Sequence, residues 1–208
     1  MLKKFIFSPR IILSFFLLLT LNLFSCAPRI TEETYLVVKV IDGDTVELAS
    51  GERLRYIGID TPEKDDPFYQ EAKDFNRQLV QGKKIKLEFD VQKKDKYGRL
   101  LGYVYAGDAF VNAELLKAGL AVLYTYPPNV KYVDYFTEIQ KEARQEKRGI
   151  WSQVKEALDY YVAVKGSKRF HRPDCRSVRS AKPEKLLKFK TRDQALDKGY
   201  SACRSCKP

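Results

Sequence analysis

The sequence is poor in the residues on which much enzyme chemistry rests. Its 208 residues hold one histidine, one tryptophan, one methionine and four cysteines. The histidine, His171, lies near the C-terminus with Cys175, Cys203 and Cys206, and the fourth cysteine, Cys26, ends an apolar N-terminal run. The body between them has neither residue. That excludes from it any mechanism built on an imidazole base, a Ser–His pair or a thiolate nucleophile. What remains there is carboxylate, guanidinium and phenol chemistry, with or without a metal. A metal held by oxygen alone would be a hard cation such as Ca²⁺ or Mg²⁺ rather than zinc. No internal repeat is visible.

Charge is unevenly spread. The chain carries a net +11. Residues 27–159 hold 21 Lys/Arg against 23 Asp/Glu, whereas residues 160–208 hold 14 against 4. A near-neutral body is followed by a basic tail, which suits a polyanionic partner, either nucleic acid or an anionic surface. Apolar content of 44% and aromatic content of 12% are enough for a real core and exclude wholesale disorder.

The N-terminus reads as an export leader. Lys3 and Lys4 precede the run Ile11 to Phe24. That run is about 14 residues long, short of the roughly 20 that a spanning helix needs. It ends in Leu23-Phe24-Ser25-Cys26, which resembles the cleavage box of bacterial lipoproteins, although Phe24 stands where a smaller residue is usual. The resemblance implies a lipidated Cys26 as the first mature residue, and a chain exported to the periplasm or cell surface on a lipid anchor. The alternative is an uncleaved membrane anchor.

The body, after a lead over 27–34, alternates short strands with helices. Strands are expected at Tyr35–Ile41, Thr45–Leu48, Arg53–Ile59, Lys83–Asp90 and Arg99–Tyr105, from β-branched content, alternation and the Asp-Gly and Ser-Gly turns between them. Helical spacing marks Pro67–Val80, with Ala72, Phe75, Leu79 and Val80 on one face. A short helix capped by Asn112 is expected to run through Ala118, and a last one to carry Tyr135, Ile139 and Ala143 on its inner stripe. Five strands and three helices without a βαβ rhythm predict an α+β fold with a small barrel.

Three charged clusters fall at strand ends: Asp42-Gly43-Asp44-Thr45, Arg55 with Asp60-Thr61-Pro62-Glu63, and Asp95-Lys96-Tyr97-Gly98-Arg99. Each alone also reads as an ordinary turn, cap or loop. Together, in this order, they resemble the thermonuclease (staphylococcal-type nuclease) family over about residues 35–152. The resemblance implies a five-stranded OB-type barrel and a Ca²⁺ held by Asp44, Asp60 and the Thr61 carbonyl. It also implies that Glu63 handles the attacking water, that Arg55 and Arg99 grip the phosphate, and that Tyr97 and Tyr124 line the nucleotide pocket. The implied activity is calcium-dependent hydrolysis of DNA and RNA to 3′-phosphate ends by a monomer. A non-catalytic OB protein that binds single strands is the alternative. Between Glu63 and Glu71 the loop is shorter than in well-known members.

Beyond a linker at 153–159, residues 160–208 form a separate basic module with a strand at 160–164 and a helix at 192–198, for which Thr191 and Gln194 form a capping pair. His171-x3-Cys175 and Cys203-x2-Cys206 offer four N/S ligands in two close pairs, a zinc-like arrangement. The spacing is similar to the small zinc domain of the bacterial DNA-alkylation-repair (adaptive response) protein, with His171 in place of its first Cys. A structural Zn²⁺ is one reading; a disulfide among the cysteines, or a His171 that merely sits on a basic surface and binds nothing, are the others.

Overall fold

The computed structural model describes residues 33–153 and 157–208. The leader and Cys26 lie outside the described residues. No helix among those described is long and apolar enough to cross a membrane.

Five strands carry the body: β1 (Thr34–Val40), β2 (Thr45–Leu48), β3 (Arg53–Tyr56), β5 (Lys84–Glu88) and β6 (Leu100–Ala106). β4 (Ile59–Asp60) pairs instead with β8 (Val122–Leu123), while β7 (Ala109–Phe110) extends β6. The sheet runs β3-β2-β1-β5-β6, and a parallel pairing of β3 with β6, Leu54 opposite Leu100, closes it. This is the OB-type barrel, and closure removes the edges that a small open sheet would expose. Inward residues of alternate strand positions, among them Val37, Val46, Leu54, Ile85 and Val104, are fully buried.

The helices plug and support the barrel. They are α1 (Tyr69–Val80), α2 (Val111–Lys117) and α3 (Val133–Gln145). Three local expectations are corrected. The strand expected at 53–59 breaks after Tyr56, because Gly58 takes a left-handed φ of 79° and turns the chain into β4. A Cβ on Gly58 would also come within 2.8 Å of the Phe136 ring. Asn112 does not cap α2, since the cap position is Phe110 and Asn112 is buried inside the first turn. Its side chain accepts from Val104 N and donates to Ile57 O, two barrel backbone groups that would otherwise be unpaired. Tyr135 faces outward at 47% exposure, and the inner stripe of α3 is Phe136, Ile139, Gln140 and Ala143. Gln140 is legible there only in retrospect: its Oε1 accepts from the β8 backbone at Leu123.

The C-terminal segment adds a second small sheet, ordered β11-β9-β10-β12. Its strands are β9 (Tyr161–Val164), β10 (Arg169–His171), β11 (Leu186–Phe189) and β12 (Ser201–Ala202), with α4 (Arg192–Leu196) packed beside them. Thr191 caps α4, accepting from Gln194 N at 3.0 Å, while Gln194 reaches back to Lys190 N. This module rests on the body through one shared cluster, in which Ala143 and Trp151 meet Tyr161, Phe170 and Phe189. The β8–α3 connection is pinned to it as well. Thr125 N donates to Ser201 Oγ at 2.7 Å, and Thr125 Oγ1 donates to Gly199 O at 2.9 Å.

Candidate active site

The first turn of the site is built by hydrogen bonds that leave one carboxylate aimed inward. Asp42 Oδ1 accepts from Asp44 N, closing an Asx turn over Asp42–Thr45. From the far side, α1 holds the turn: the buried Asn76 donates to Asp42 O and accepts from the buried Tyr56 OH. Gly43 lets this turn press against the next strand, since a Cβ there would lie 2.7 Å from the Thr61 side chain. The consequence is that Asp44 Oδ2 accepts from both Thr61 N and Thr61 Oγ1, at 2.9 and 3.1 Å.

Arg55 projects from β3 into this acidic corner. Its Nη2 lies 3.1 Å from Asp44 Oδ2 and 3.0 Å from Asp60 Oδ1, so one nitrogen ties both carboxylates. Its fork is fixed by two backbone carbonyls, Tyr56 O at 2.8 Å and Ile59 O at 2.9 Å. A planar guanidinium held at this many points is prepositioned rather than adaptable.

Negative charge nevertheless exceeds what Arg55 neutralises. Burial, and then the charge of Asp44, push the Asp42 carboxyl up to about 6. Burial also pushes the Asp60 carboxyl upward, against the pull of Arg204 and Arg55. A buried all-oxygen donor set in which carboxylates resist ionising together suits a hard dication. Asp44, Asp60 and Thr61, all buried or nearly so, are the residues that could hold it.

The third cluster lies across a cleft of about 490 Å³. Asp95 Oδ1 accepts from Tyr97 N and Arg99 N, and its Oδ2 accepts from Arg99 Nε at 2.7 Å. Asp95 thus aims Arg99 while leaving it one-third exposed to the cleft. Glu63 sits at the opposite lip with its side chain 73% exposed. Tyr97 and Tyr124 line the same cleft, as do Arg55, Asp60 and Thr61. The structure therefore brings together the residues of all three sequence clusters.

Residues 53–153 match the staphylococcal nuclease homologue family, and residues 152–208 match the metal binding domain of Ada. A thermonuclease of Staphylococcus hyicus is 42% identical over 130 residues, which is 58% of this chain and 77% of that one. This chain belongs to the staphylococcal nuclease family. The endonuclease YncB of Bacillus subtilis is 42% identical over 125 residues, 55% of this chain and 59% of that relative. An uncharacterized endonuclease of Escherichia coli O157:H7 is 38% identical over 125 residues, 56% and 75% of the two chains.

Two features of this staphylococcal-nuclease-like site escaped the sequence reading. Tyr126 lines the cleft and stacks with Tyr124, centroids 6.3 Å apart and planes 9° apart. Arg204, from the C-terminal module, enters the same cleft and pairs with Asp60 through both its Nε, at 2.8 Å, and its Nη2. The only signal for Arg204 was its place inside Cys203-x2-Cys206, where a residue reads as filler between ligands.

The second cluster lies at the base of that knuckle. One potential ligand atom from each of His171, Cys175, Cys203 and Cys206 falls within 4.8 Å of the others. All three cysteines are free thiols rather than a disulfide pair. His171 Nδ1 is buried with no hydrogen-bond partner, a cost that a metal ligand role removes. Burial and the nearby Arg169 hold the imidazole below its ordinary value, in its neutral, ligating form. Arg172 N donates to Cys206 Sγ at 3.4 Å, the kind of outer contact that steadies a bound thiolate.

Proposed function

We propose that the protein is a calcium-dependent nuclease that hydrolyses phosphodiester bonds in DNA and RNA. The observation that carries this reading is the convergence of Arg55, Asp44, Asp60, Glu63 and Arg99 on one cleft, with family relatives named as thermonuclease and endonuclease in support.

In this reading Asp44, Asp60 and the Thr61 carbonyl hold Ca²⁺, which when bound supplies positive charge against the extra charge of the five-coordinate phosphorus. The chain's own residues do the rest. Arg55, locked by Tyr56 O and Ile59 O, and Arg99, aimed by Asp95, present two forks to the phosphate from two sides. Glu63, exposed at the lip, orients a water and takes its proton as the oxygen attacks phosphorus. The bond to the 5′ oxygen breaks and that oxygen takes a proton from solvent at the open cleft, leaving a 3′-phosphate and a 5′-hydroxyl. Tyr97, Tyr124 and Tyr126 hold the flanking nucleotides.

In the tail, His171, Cys175, Cys203 and Cys206 hold a structural Zn²⁺, all four positions filled by protein. The leader exports the chain, and acylated Cys26 tethers it to a membrane; mass measurement of the mature N-terminus in wild type and C26S tests that part.

The decisive test uses residues 27–208 with single- and double-stranded DNA and RNA, in Ca²⁺ and then in EGTA. Calcium-dependent products ending in 3′-phosphate, lost in E63Q, are expected. A folded protein that binds single strands yet cleaves nothing with any divalent cation would replace this reading with the binding-protein one.

A further inference from the structure

The face that the C-terminal module turns toward the cleft is cationic, and it is built rather than incidental. Thr125 is 2% and Ser201 1% exposed where the two segments are bonded together, so the cleft wall Tyr124–Tyr126 is fixed to the module's own backbone. On that wall two module guanidiniums meet one ring. Arg169 lies 4.1 Å and Arg204 4.9 Å from the Tyr124 centroid. Among the described residues Arg169 pairs with no carboxylate, and its Nη1 finds only Ala202 O at 3.4 Å. Arg204 leans the other way, to Asp60 and, at 3.8 Å, to Glu63, while its side chain stays half exposed. Lys207, one turn along the knuckle, pairs with Asp66 at 2.6 Å and fixes the approach.

We propose that Arg169 and Arg204 form a phosphate subsite on the module side of the cleft, which binds a backbone phosphate of the polynucleotide next to the one cleaved. The chemistry favours this occupant over a purely structural role. A guanidinium over an aromatic face with no counterion is an incomplete anion site. Arg204, over the same Tyr124 ring and half in solvent, is the second arm of the clamp. Both belong to a tail that carries 14 Lys/Arg against 4 Asp/Glu, so an incoming strand meets the same sign of potential along its way. The knuckle between Cys203 and Cys206 gives Arg204 a short, stiff mount. The two segments of the chain thus share one substrate track: Arg55 and Arg99 serve the scissile phosphate, Arg169 and Arg204 its neighbour. This inference rests on the nuclease reading for its substrate class.

The test compares a dinucleotide with a single-stranded 20-mer in wild type, R169A, R204A and the double variant, with thermal unfolding as a check on folding. A clamp on a neighbouring phosphate predicts a loss of about tenfold or more in kcat/KM on the 20-mer, mainly through KM. In R169A the dinucleotide, which has no such phosphate, should change by less than about twofold; R204A also frees Asp60 and Glu63, so it is read by its salt slope and calcium dependence instead. Fluorescence anisotropy of the labelled 20-mer in EGTA gives a second readout that needs no turnover. There the slope of log K against log salt should fall by roughly 0.7 per arginine removed. In R169A, equal losses on both substrates, or none on either with an unchanged salt slope, overturn the subsite. So does a rise in terbium affinity, read by tyrosine-sensitised luminescence, with higher activity at low calcium in R204A; Arg204 would then be a plug on Asp60. If wild type cleaves neither substrate but the salt slopes fall as stated, the subsite stands and only the catalytic reading is lost.

Discussion

The barrel surrounds a continuous apolar core from Val37 to Ile139, whereas the C-terminal module divides its interior between a cluster shared with α3 and a smaller one of Val162, Cys175, Val178 and Cys203. Two of those four residues are candidate metal ligands. A segment of this size rarely buries enough to fold without a staple, and four converging ligands are such a staple. The body can therefore afford strain and unbalanced charge at its cleft. The module has little to spare, and what it contributes to the cleft depends on the knuckle staying closed.

The sharpest way to break that contrast is to take away the zinc proposed for the knuckle. Structural zinc supplies on the order of 10 kcal/mol in small domains, comparable to the whole stability of a domain. Stripping the protein with a strong chelator should open residues 157–208 to protease while the barrel, 33–153, survives the digest. Returning Zn²⁺ should restore resistance. Equal digestion of both regions would show that they stand or fall together through the shared cluster around Trp151.

Next in size is a pair of arginines within the barrel. R99A removes a one-third-exposed side chain whose charged partner among the described residues is Asp95. Turnover should drop about 10²- to 10³-fold with little change in the urea midpoint. R55A should lose activity and also stability, by about 3–5 kcal/mol, because Asp44 and Asp60 are left buried without their common partner. Single-turnover rates and urea melts on both variants separate a residue that acts at the site from one that also holds it. Matching stability losses would remove the distinction.

Smaller again is N112A. Val104 N and Ile57 O would both be stranded in the core, at about 1–3 kcal/mol each, and a midpoint shift without loss of kcat is expected. Asn112 also shows where sequence reading ended. An Asn ahead of an apolar run reads as a cap, and nothing local reveals that the partners are the barrel's own backbone, 55 residues away in the case of Ile57. The charged clusters were legible for the opposite reason. Asp42 to Thr45 and Asp95 to Arg99 form their turns from neighbours in sequence, so spacing carries the geometry. The β3–β6 closure, the outward turn of Tyr135 and the entry of Arg204 are all set by distant packing. Arg204 meets an aspartate 144 positions earlier, which no periodicity encodes.

The smallest expected effect concerns acid, and it belongs to the barrel alone. Asp90 is partly buried, which acts to raise its carboxyl, but hydrogen bonds from Lys131 N, Val91 N and Tyr103 OH outweigh that and hold it below the ordinary value of 3.8. A carboxyl depressed in the fold binds fewer protons there than in the unfolded chain. Its contribution is therefore present above the unfolded value and is lost as pH falls through the folded one. In D90N the amide cannot accept from all three donors, so at neutral pH the urea midpoint should fall by the equivalent of about 0.5–1 kcal/mol, the group being only partly buried. Between about pH 5 and about pH 3 the wild-type midpoint should drop more steeply than that of D90N, and the two curves should converge. Parallel curves would mean that Asp90 titrates alike in both states and that its three donors serve only to shape the turn before Gln92. The module should show no such difference between wild type and D90N, because Asp90 and its three donors all lie in the barrel.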